Sequence, residues 1–328
     1  MEVRVRAPAK VNLFLAIRGM RPDGLHELVT VLQTVDLHDE LTAKLLGTPW
    51  ARQHPAARQL MRLSLTHDAG PGLPVDKSNL IIRSARELLC DLGVPHVVDG
   101  DAWPDDVDMT HAPRTELHLT KRIPVAAGMA GGSVDAAATL LALDRLWASD
   151  LSNESLTATA ARLGADVPFC LWGGTALATG TGADTARVLA RGEFHWVVCV
   201  SERGLSTRDV YREFDELDLP PSVIEPDVVL QALRTGDAAL LASGVHNDLE
   251  AAALSLLPDL ADGLEALRSA GALQATVSGS GPTLIGLAAT KHDARQIAER
   301  VGDRFRQVHV VSSPVGGPRV TTRQLQPV

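Results

Sequence analysis

The stretch Pro124-Val125-Ala126-Ala127-Gly128-Met129-Ala130-Gly131-Gly132-Ser133 decides the fold and is called the glycine-rich loop below. The residues before it, 115–123 (TELHLTKRI), alternate between apolar and polar side chains, which predicts a strand. The residues after it, 133–148 (SVDAAATLLALDRLWA), carry apolar side chains at helical spacing. A strand therefore enters a run of small residues, and a helix leaves it.

The small side chains of this loop predict a site for an anion. Without bulky side chains, backbone N–H groups approach a ligand closely, and the helix N-terminus adds unpaired N–H groups and partial positive charge. Ser133 either caps the helix or offers its hydroxyl to a phosphate or to Mg²⁺. No Gly-Lys-Ser/Thr follows, which excludes a Walker A loop, and the glycine spacing excludes a Rossmann fingerprint. Taken alone, the loop also fits an ordinary tight turn.

The sequence before the glycine-rich loop predicts strands, one helix and two insertions. Alternating or apolar stretches predict strands at 3–17, at 29–46 with Asp39 in a turn, and at 60–66. Helical spacing predicts a helix at 79–92, with Asn79 as its cap and Gly93 at its end. The segments 48–58 and 97–114 each hold two prolines and are predicted to be surface insertions.

The chain after the loop predicts an α+β arrangement in which helices cover an antiparallel sheet. The boundary between two domains is expected near residue 190, which divides the chain into 1–190 and 191–328. The expected helices are 154–163, 206–217, 226–234, 247–257, 259–270 and 291–303, the expected strands are 172–179, 185–190, 195–201, 273–277, 283–288 and 307–312, and turns are expected at Asp166-Val167-Pro168 and 278–282.

Composition limits the classes of function. The 328 residues carry a net charge of −9, and because phosphate neutralisation needs clustered Lys and Arg, a broad nucleic-acid surface is excluded. The three cysteines, Cys90, Cys170 and Cys199, are widely spaced, which favours a reducing compartment. The N-terminal residues lack the charged-then-apolar order of a signal peptide, and no apolar run is long enough to span a bilayer, so a soluble, cytoplasmic protein without membrane partners is predicted.

Three motifs along the chain resemble, in the same order, those of a known family. The glycine-rich loop, continued by Asp135-Ala136-Ala137, resembles the second motif of the GHMP kinases, while 7–15 (APAKVNLFL) and 276–284 (TVSGSGPTL) resemble the first and third. The resemblance implies a two-domain GHMP kinase fold, with an N-terminal domain like domain 2 of ribosomal protein S5 and a ferredoxin-like C-terminal domain. It also implies that ATP and Mg²⁺ are used.

Further segments narrow the resemblance within the family. Residues 8–12 (PAKVN), 23–28 (DGLHEL), 79–82 (NLII) and 163–169 (LGADVPF) are similar to those members that phosphorylate a tertiary hydroxyl in isoprenoid precursor synthesis. The implied partners are ATP and a cytidyl-diphospho sugar alcohol, and the chain is expected to be a monomer or a weak homodimer. Two alternatives remain: another GHMP kinase, such as homoserine or mevalonate kinase, or a sensor that binds ligand without catalysis.

The resemblance also implies a role for single residues. Asp166 is the expected base for the reacting hydroxyl, and Lys10 the expected cation beside it. Residues 124–133 are expected to hold the phosphates of ATP, with Asn79 on the adenine and Ser133 as a metal ligand. The expected substrate contacts are Asn12, His26, Thr207, Tyr211, Gly279 and Ser280.

Three positions depart from the family pattern. Leu25 stands where relatives often have a tyrosine that stacks on the base, and leucine has no π-system. Ala130 and Val134 replace a glycine and a second serine of the loop, which leaves Ser133 as the hydroxyl for a metal. Asp135 lies in the first helical turn, and we expect it to point away from the phosphates.

Overall fold

A computed structural model describes residues 1–46, 60–70, 72–101 and 113–324 of the chain. The predicted insertion 48–58 and most of 97–114 lie outside the described residues. The strands are β1 (Glu2–Met20), β2 (His26–Leu46), β3 (Met61–His67), β4 (His96–Val98), β5 (Arg114–Thr120), β6 (Thr175–Gly180), β7 (Asp184–Arg187), β8 (Phe194–Val200), β9 (His246–Asn247), β10 (Gln274–Val277), β11 (Leu284–Ala288), β12 (Gln307–Ser313) and β13 (Arg319–Gln324). The helices are α1 (Leu80–Asp91), α2 (Gly131–Trp147), α3 (Asn153–Leu163), α4 (Val167–Trp172), α5 (Thr207–Glu216), α6 (Asp227–Thr235), α7 (Ala238–Gly244), α8 (Glu250–Leu256), α9 (Asp259–Ser269) and α10 (Lys291–Val301).

A large sheet is built around the long antiparallel pair β1 and β2. Strand β2 pairs with two further strands along its length: its residues 28–33 pair with β6, and its residues 40–46 pair with β5. The middle of β1 is buried on both faces, which explains why its sequence is almost continuously apolar after Ala7. Lys10 and Asn12 are therefore polar side chains within an otherwise apolar buried strand.

Helices α1 to α4 cover one face of this sheet, and together they form the first lobe. Helix α2 is central, since it packs against β1, β2, α1, α3 and α4. Its alanines and leucines from Ala136 to Leu146 are buried, apart from the partly buried Leu141. This burial fixes the direction of α2, and the glycine-rich loop lies at its N-terminal end.

The second lobe is a four-stranded antiparallel sheet in the order β10-β11-β8-β12, among the residues that the structure describes. One face packs against α9 and α10 through side chains such as Leu264 and Ile297. The other face contributes Trp196, Val198 and Ile285 to the core shared with the first lobe. The predicted α+β fold is confirmed, and the predicted β-β-α-β order is observed in β10, β11, α10 and β12, which β13 then follows.

Some sequence predictions were wrong in detail. Asp39 lies within the continuous strand β2, and Val167 and Pro168, which were expected in a turn, begin the short helix α4. The sequence analysis also missed β4, α7, β9 and β13. Both β9 and β13 pair with β1, although they come late in the chain. The boundary near residue 190 stays a prediction, and β13 returns the end of the described chain to the large sheet.

Within the described ranges, no helix is both long enough and apolar enough to cross a membrane.

Candidate active site

A cleft of about 510 Å³ lies where the glycine-rich loop faces the turn at 278–282. This one cleft is lined by most of the residues that the sequence analysis assigned to a site. They are Lys10, Asn12, Ala126, Ala127, Gly128, Ala130, Gly131, Gly132, Ser133, Asp166, Thr207, Tyr211, Gly279 and Ser280. Residues from five separate parts of the chain thus meet at one place.

Lys10 and Asp166 form an ion pair at the floor of the cleft. The distance from Lys10 Nζ to Asp166 Oδ2 is 3.8 Å, and the lysine side chain is 7% exposed against 34% for the aspartate. The Lys10 ammonium also donates to Asn12 Oδ1 at 2.7 Å, and Asn12 donates to Thr30 Oγ1 at 2.9 Å. Because Asn12 accepts a hydrogen bond from the buried Lys10 ammonium, this charge has a fixed position. The Asp166 carboxylate stays accessible to a ligand.

The position of Asp166 follows from the helix that it precedes. Asp166 is the N-cap residue of α4, but its side chain makes no capping hydrogen bond. Pro168 lies in the first turn of α4, where its missing N–H removes no helical bond. The carboxylate is therefore left free to face Lys10 and the cleft instead of its own helix.

The glycine-rich loop ends in a left-handed residue. Ala130 is the N-cap of α2 with φ 55°, and the helix begins at Gly131. The prediction that α2 begins at Ser133 was therefore wrong by two residues, and Ser133 lies in the first turn rather than at the cap. The unpaired N–H groups of that turn and its partial positive charge lie at the cleft, where an anion is favoured.

Two glycine turns meet back to back beside Lys10. Gly128 has φ +68°, and a Cβ placed on it would lie 2.2 Å from the backbone oxygen of Ser278. The Ser278 hydroxyl lies 3.4 Å from the Gly128 oxygen, and Gly279 also packs within reach of that oxygen. The glycine-rich loop and the turn at 278–282 thus touch through their backbones, and a side chain at Gly128 would push them apart.

Substitution of Gly128 by alanine is expected to destabilise the protein by at least about 2 kcal/mol, because left-handed strain and overpacking add together. The control is Gly93→Ala, since Gly93 also has φ +68° but a Cβ there meets nothing within 4 Å. Urea unfolding of both variants separates strain from the backbone clash. Equal losses in the two variants would show that the contact with Ser278 has no energetic consequence.

A buried ion triad lies under the glycine-rich loop and was missed by the sequence analysis. Lys121 Nζ donates to Asp39 Oδ2 and to Asp135 Oδ2, each at 2.6 Å. Asp39 Oδ1 accepts from the backbone N–H groups of Arg122 and Ile123 at 2.6 and 2.8 Å. The triad joins the residues before the loop to the helix after it, so it closes the base of the loop.

The charges of the triad perturb one another. Burial and the charge of Asp39 raise the pKa of Asp135 well above its usual value, against the opposing charge of Lys121. Burial lowers the pKa of Lys121, but the charges of Asp135 and Asp39 outweigh it, so that the pKa is raised overall. Lys121 therefore stays charged, and the Asp135 carboxylate is bound to it instead of lining the cleft.

Tyr211 lines the cleft and packs against His26, which is not among the residues that line it, with the two rings tilted by 31°. Their ring centroids are 5.0 Å apart, and His26 Nε2 lies 2.7 Å from Asp215 Oδ1. Burial and the charge of Asp166 raise the pKa of Tyr211 to about 12, so the phenol stays protonated. Leu25, where the sequence analysis found a departure from the family pattern, is 54% exposed.

The turn at 278–282 is held by a residue that the sequence analysis did not identify. Asn247 Nδ2 donates to the backbone oxygens of Val277 at 2.7 Å and Gly279 at 2.8 Å. The hydroxyl of Thr207 lies 3.0 Å from that of Ser280. A short polar segment before α8 was the available signal, but nothing in the sequence linked it to a turn thirty residues later.

A few predicted site residues do not line the cleft. Asn79 caps α1 by accepting from the Ile81 N–H, as predicted for its structural role, while its neighbour Leu80 reaches the cleft. Met129 is buried, whereas Pro124 and Val125 face a second cavity of about 370 Å³ behind the loop.

The protein donors at the cleft suit a metal ion only in part. Within the residues that the structure describes, no group of three or more His, Cys, Asp or Glu side chains is arranged so that it could hold a metal ion. Ser133 lines the cleft, whereas the Val134 side chain is fully buried in the core. A hydroxyl at position 134 would therefore not face the cleft, and the loss of the second serine removes no ligand there. The donors fit an ion held mainly by ligand phosphates and water, as Mg²⁺ commonly is.

Comparison with known proteins agrees with this geometry. The family models for the GHMP kinases N terminal domain and the GHMP kinases C terminal match residues 79–174 and 229–307. A 4-diphosphocytidyl-2-C-methyl-D-erythritol kinase of Salinispora arenicola is 44% identical over 97% of this chain and 94% of its own length. One of the same name from Streptomyces coelicolor is 47% identical over 91% of both chains.

Solved structures give the same assignment. A crystal structure of 4-(cytidine 5'-diphospho)-2C-methyl-D-erythritol kinase superposes with a TM-score of 0.73 at 32% identity, covering 95% of this chain and 98% of the other. Homoserine kinase from Cytophaga hutchinsonii, at 20% identity and a TM-score of 0.71, covers 97% of each chain and shares the fold. The chain therefore belongs to the 4-diphosphocytidyl-2-C-methyl-D-erythritol kinases of the GHMP kinase family.

Proposed function

We propose that this kinase transfers the γ-phosphoryl group of ATP to the 2-hydroxyl of 4-(cytidine 5'-diphospho)-2-C-methyl-D-erythritol, on the non-mevalonate route to isoprenoid precursors. The observation that carries the proposal is the Lys10–Asp166 pair, 3.8 Å apart, beside the N-terminus of α2. A hydroxyl placed there meets a carboxylate, an ammonium and the glycine-rich loop at once.

Asp166 orients the attacking hydroxyl and accepts its proton as the oxygen bonds to phosphorus. Lys10 offsets the negative charge that develops on the transferred group, and its bond to Asn12 keeps it in place. The loop N–H groups and the first turn of α2 hold the remaining phosphates. Catalysis arises from positioning and charge neutralisation, without a covalent enzyme intermediate.

Mg²⁺ accompanies ATP in this proposal and supplies charge neutralisation on the phosphates. We propose Ser133 as the side chain that contacts it, because Ser133 lines the cleft in the first turn of α2. Asp135 accepts a hydrogen bond from Lys121 and is not proposed as a metal ligand. We also propose a cytoplasmic location and a monomer or weak homodimer.

Other acceptors and a purely binding role are the competing functions. Homoserine kinase shares the fold at 20% identity, which carries no information about the substrate. The ring pair Tyr211 and His26 favours an acceptor with an aromatic base, which homoserine and mevalonate lack. A sensor would not require a buried ammonium paired with an accessible carboxylate, so Lys10 and Asp166 favour catalysis.

The test is ADP release from ATP and Mg²⁺ with each acceptor in turn. We expect turnover with the cytidyl substrate and background rates with homoserine and mevalonate. Folded protein that releases ADP only with one of the other acceptors would overturn the choice of substrate. Nucleotide binding without ADP release from any acceptor would favour the sensor.

A further inference from the structure

We propose that Thr30 is a positioning residue, whose hydroxyl fixes the Asn12 amide and, through that amide, holds the Lys10 ammonium at the transferred phosphoryl group. Thr30 lies in β2, outside every motif that resembles the family. The inference rests on the proposed function, since it concerns the charge that Lys10 supplies to that reaction.

Thr30 lies in the wall of the cleft between two apolar side chains. Residues two apart on a strand face the same side, and Leu28, Thr30 and Leu32 all line the cleft. Thr30 is only 4% exposed. A hydroxyl buried among leucines is stable only when it is hydrogen-bonded, and both hydrogen bonds of this hydroxyl are made to β1.

A bulge in β1 lies beside Thr30. The pairing of β1 with β2 shifts by one residue between Asn12 and Phe14. Asn12 lines the cleft before the shift and Leu15 lines it after, so the alternation of side chains is interrupted there. The Thr30 hydroxyl donates to the Phe14 carbonyl at 2.6 Å and accepts from Asn12 Nδ2 at 2.9 Å. One hydroxyl therefore ties together the two sides of the bulge.

The donors and acceptors in this chain of bonds have fixed roles. A threonine hydroxyl has one hydrogen, which Thr30 gives to the Phe14 carbonyl, so toward Asn12 it can only accept. The Asn12 nitrogen therefore faces Thr30, and the Asn12 oxygen is left for the Lys10 ammonium, which only donates. The bond from Lys10 Nζ to Asn12 Oδ1 is 2.7 Å, much shorter than the 3.8 Å from Lys10 Nζ to Asp166 Oδ2.

Loss of the Thr30 hydroxyl would release this arrangement. The Asn12 nitrogen and the Phe14 carbonyl would both be buried without their partner, and the Asn12 amide would be free to turn. The Lys10 ammonium would then lose its nearest acceptor. Because Lys10 acts on charge that develops during phosphoryl transfer, its displacement lowers kcat more than it weakens ATP binding.

The experiment measures kcat and the KM for ATP, with the cytidyl substrate, in Thr30→Val and Thr30→Ser. Valine keeps the shape of threonine without the hydroxyl, whereas serine keeps the hydroxyl. We expect kcat to fall about 10- to 100-fold in Thr30→Val, as for a small displacement of a catalytic group, with an unchanged KM for ATP. Thr30→Ser is expected to keep most of the activity. Thr30→Ala removes the same hydroxyl from a smaller side chain, and it gives the same test if Thr30→Val does not fold.

Thr115→Val is the matched control. Thr115 is also buried on a strand, and its hydroxyl also accepts from a side-chain N–H, that of Trp147 at 3.1 Å. It lies in β5 and is not among the described residues that line the cleft. We expect Thr115→Val to lose stability in urea as Thr30→Val does, but to keep the wild-type kcat. Equal losses of kcat in the two variants would make Thr30 merely structural and overturn the inference.

A double-variant cycle tests whether Thr30 acts through Asn12. In Asn12→Ala the amide is absent, so the addition of Thr30→Val is expected to lower kcat little further. A wild-type kcat in Thr30→Val, or losses that simply multiply in the double variant, would overturn the inference. Turnover by the wild type tests the proposed function without reference to Thr30, so failure of this inference is distinct from failure of the proposed function.

Discussion

Replacement of Asp166 by asparagine is expected to lower kcat by about 10²- to 10⁴-fold, the range for loss of a general base. Asparagine keeps the size of the side chain but accepts no proton from the attacking hydroxyl. ATP affinity is expected to stay unchanged, because the glycine-rich loop and the N-terminus of α2 are untouched. Single-turnover phosphorylation and ATP titration measure the two quantities separately.

The control for Asp166→Asn is Asp262→Asn, which makes the same chemical change on the exposed side of α9. It is expected to keep full activity. If Asp166→Asn kept the wild-type kcat, the Asp166 carboxylate would have no role in the reaction. A loss of ATP affinity equal to the loss of kcat would assign it to binding instead.

Replacement of Lys121 by methionine is expected to destabilise the protein by about 3–5 kcal/mol, the cost of leaving a buried charge without its partner. Asp39 and Asp135 would then face each other under the loop with no cation between them. Removal of one carboxylate as well, in Lys121→Met/Asp135→Asn, is expected to recover part of the loss. Urea unfolding followed by circular dichroism measures all three proteins.

Lys44→Met is the control for the triad, because Lys44 pairs with Glu2 at 3.2 Å with its side chain 47% exposed. Exposed pairs of this kind contribute about 0–1 kcal/mol. If Lys121→Met lost no more stability than this control, the triad would not hold the loop. Without recovery in the double variant, the loss would have to come from packing of the lysine stem.

Short-range signals in the sequence predicted the outline of the site. The strand before the glycine-rich loop, the small residues within it and the apolar helix after it are all local patterns, and each was confirmed. The cap at Asn79 is equally local, since its oxygen accepts from the Ile81 N–H two residues later. The first and third motifs, together with the segment 163–169, then predicted that Lys10, Asp166 and the turn at 278–282 share one site, and all of them line one cleft.

Contacts between distant residues could not be predicted in this way. Lys121 meets an aspartate 82 residues earlier and another 14 residues later, and no spacing rule joins them. The aspartate at 39 looked like a turn residue because a charge interrupts a strand there. In the fold it is buried because Lys121 and two backbone N–H groups satisfy it.

The prediction for residues 319–324 failed for a related reason. Strand β13 has an exposed, mostly polar sequence, RVTTRQ, which carries little strand signal. It forms because β1 offers an unpaired edge, along which Glu2 faces Gln324 and Arg6 faces Arg319. Pairing along an edge depends on the partner strand, and a single sequence does not reveal the partner.

The central claim is that the phosphoryl group goes to the tertiary 2-hydroxyl of the cytidyl substrate. The most direct measurement is the phosphorus NMR spectrum of the product formed from that substrate and ATP. The carbon of a tertiary hydroxyl bears no hydrogen, so the new phosphorus signal is expected as a singlet with the cytidine diphosphate intact. A signal split by protons on the esterified carbon, or no new phosphorus signal with folded protein, would contradict the account.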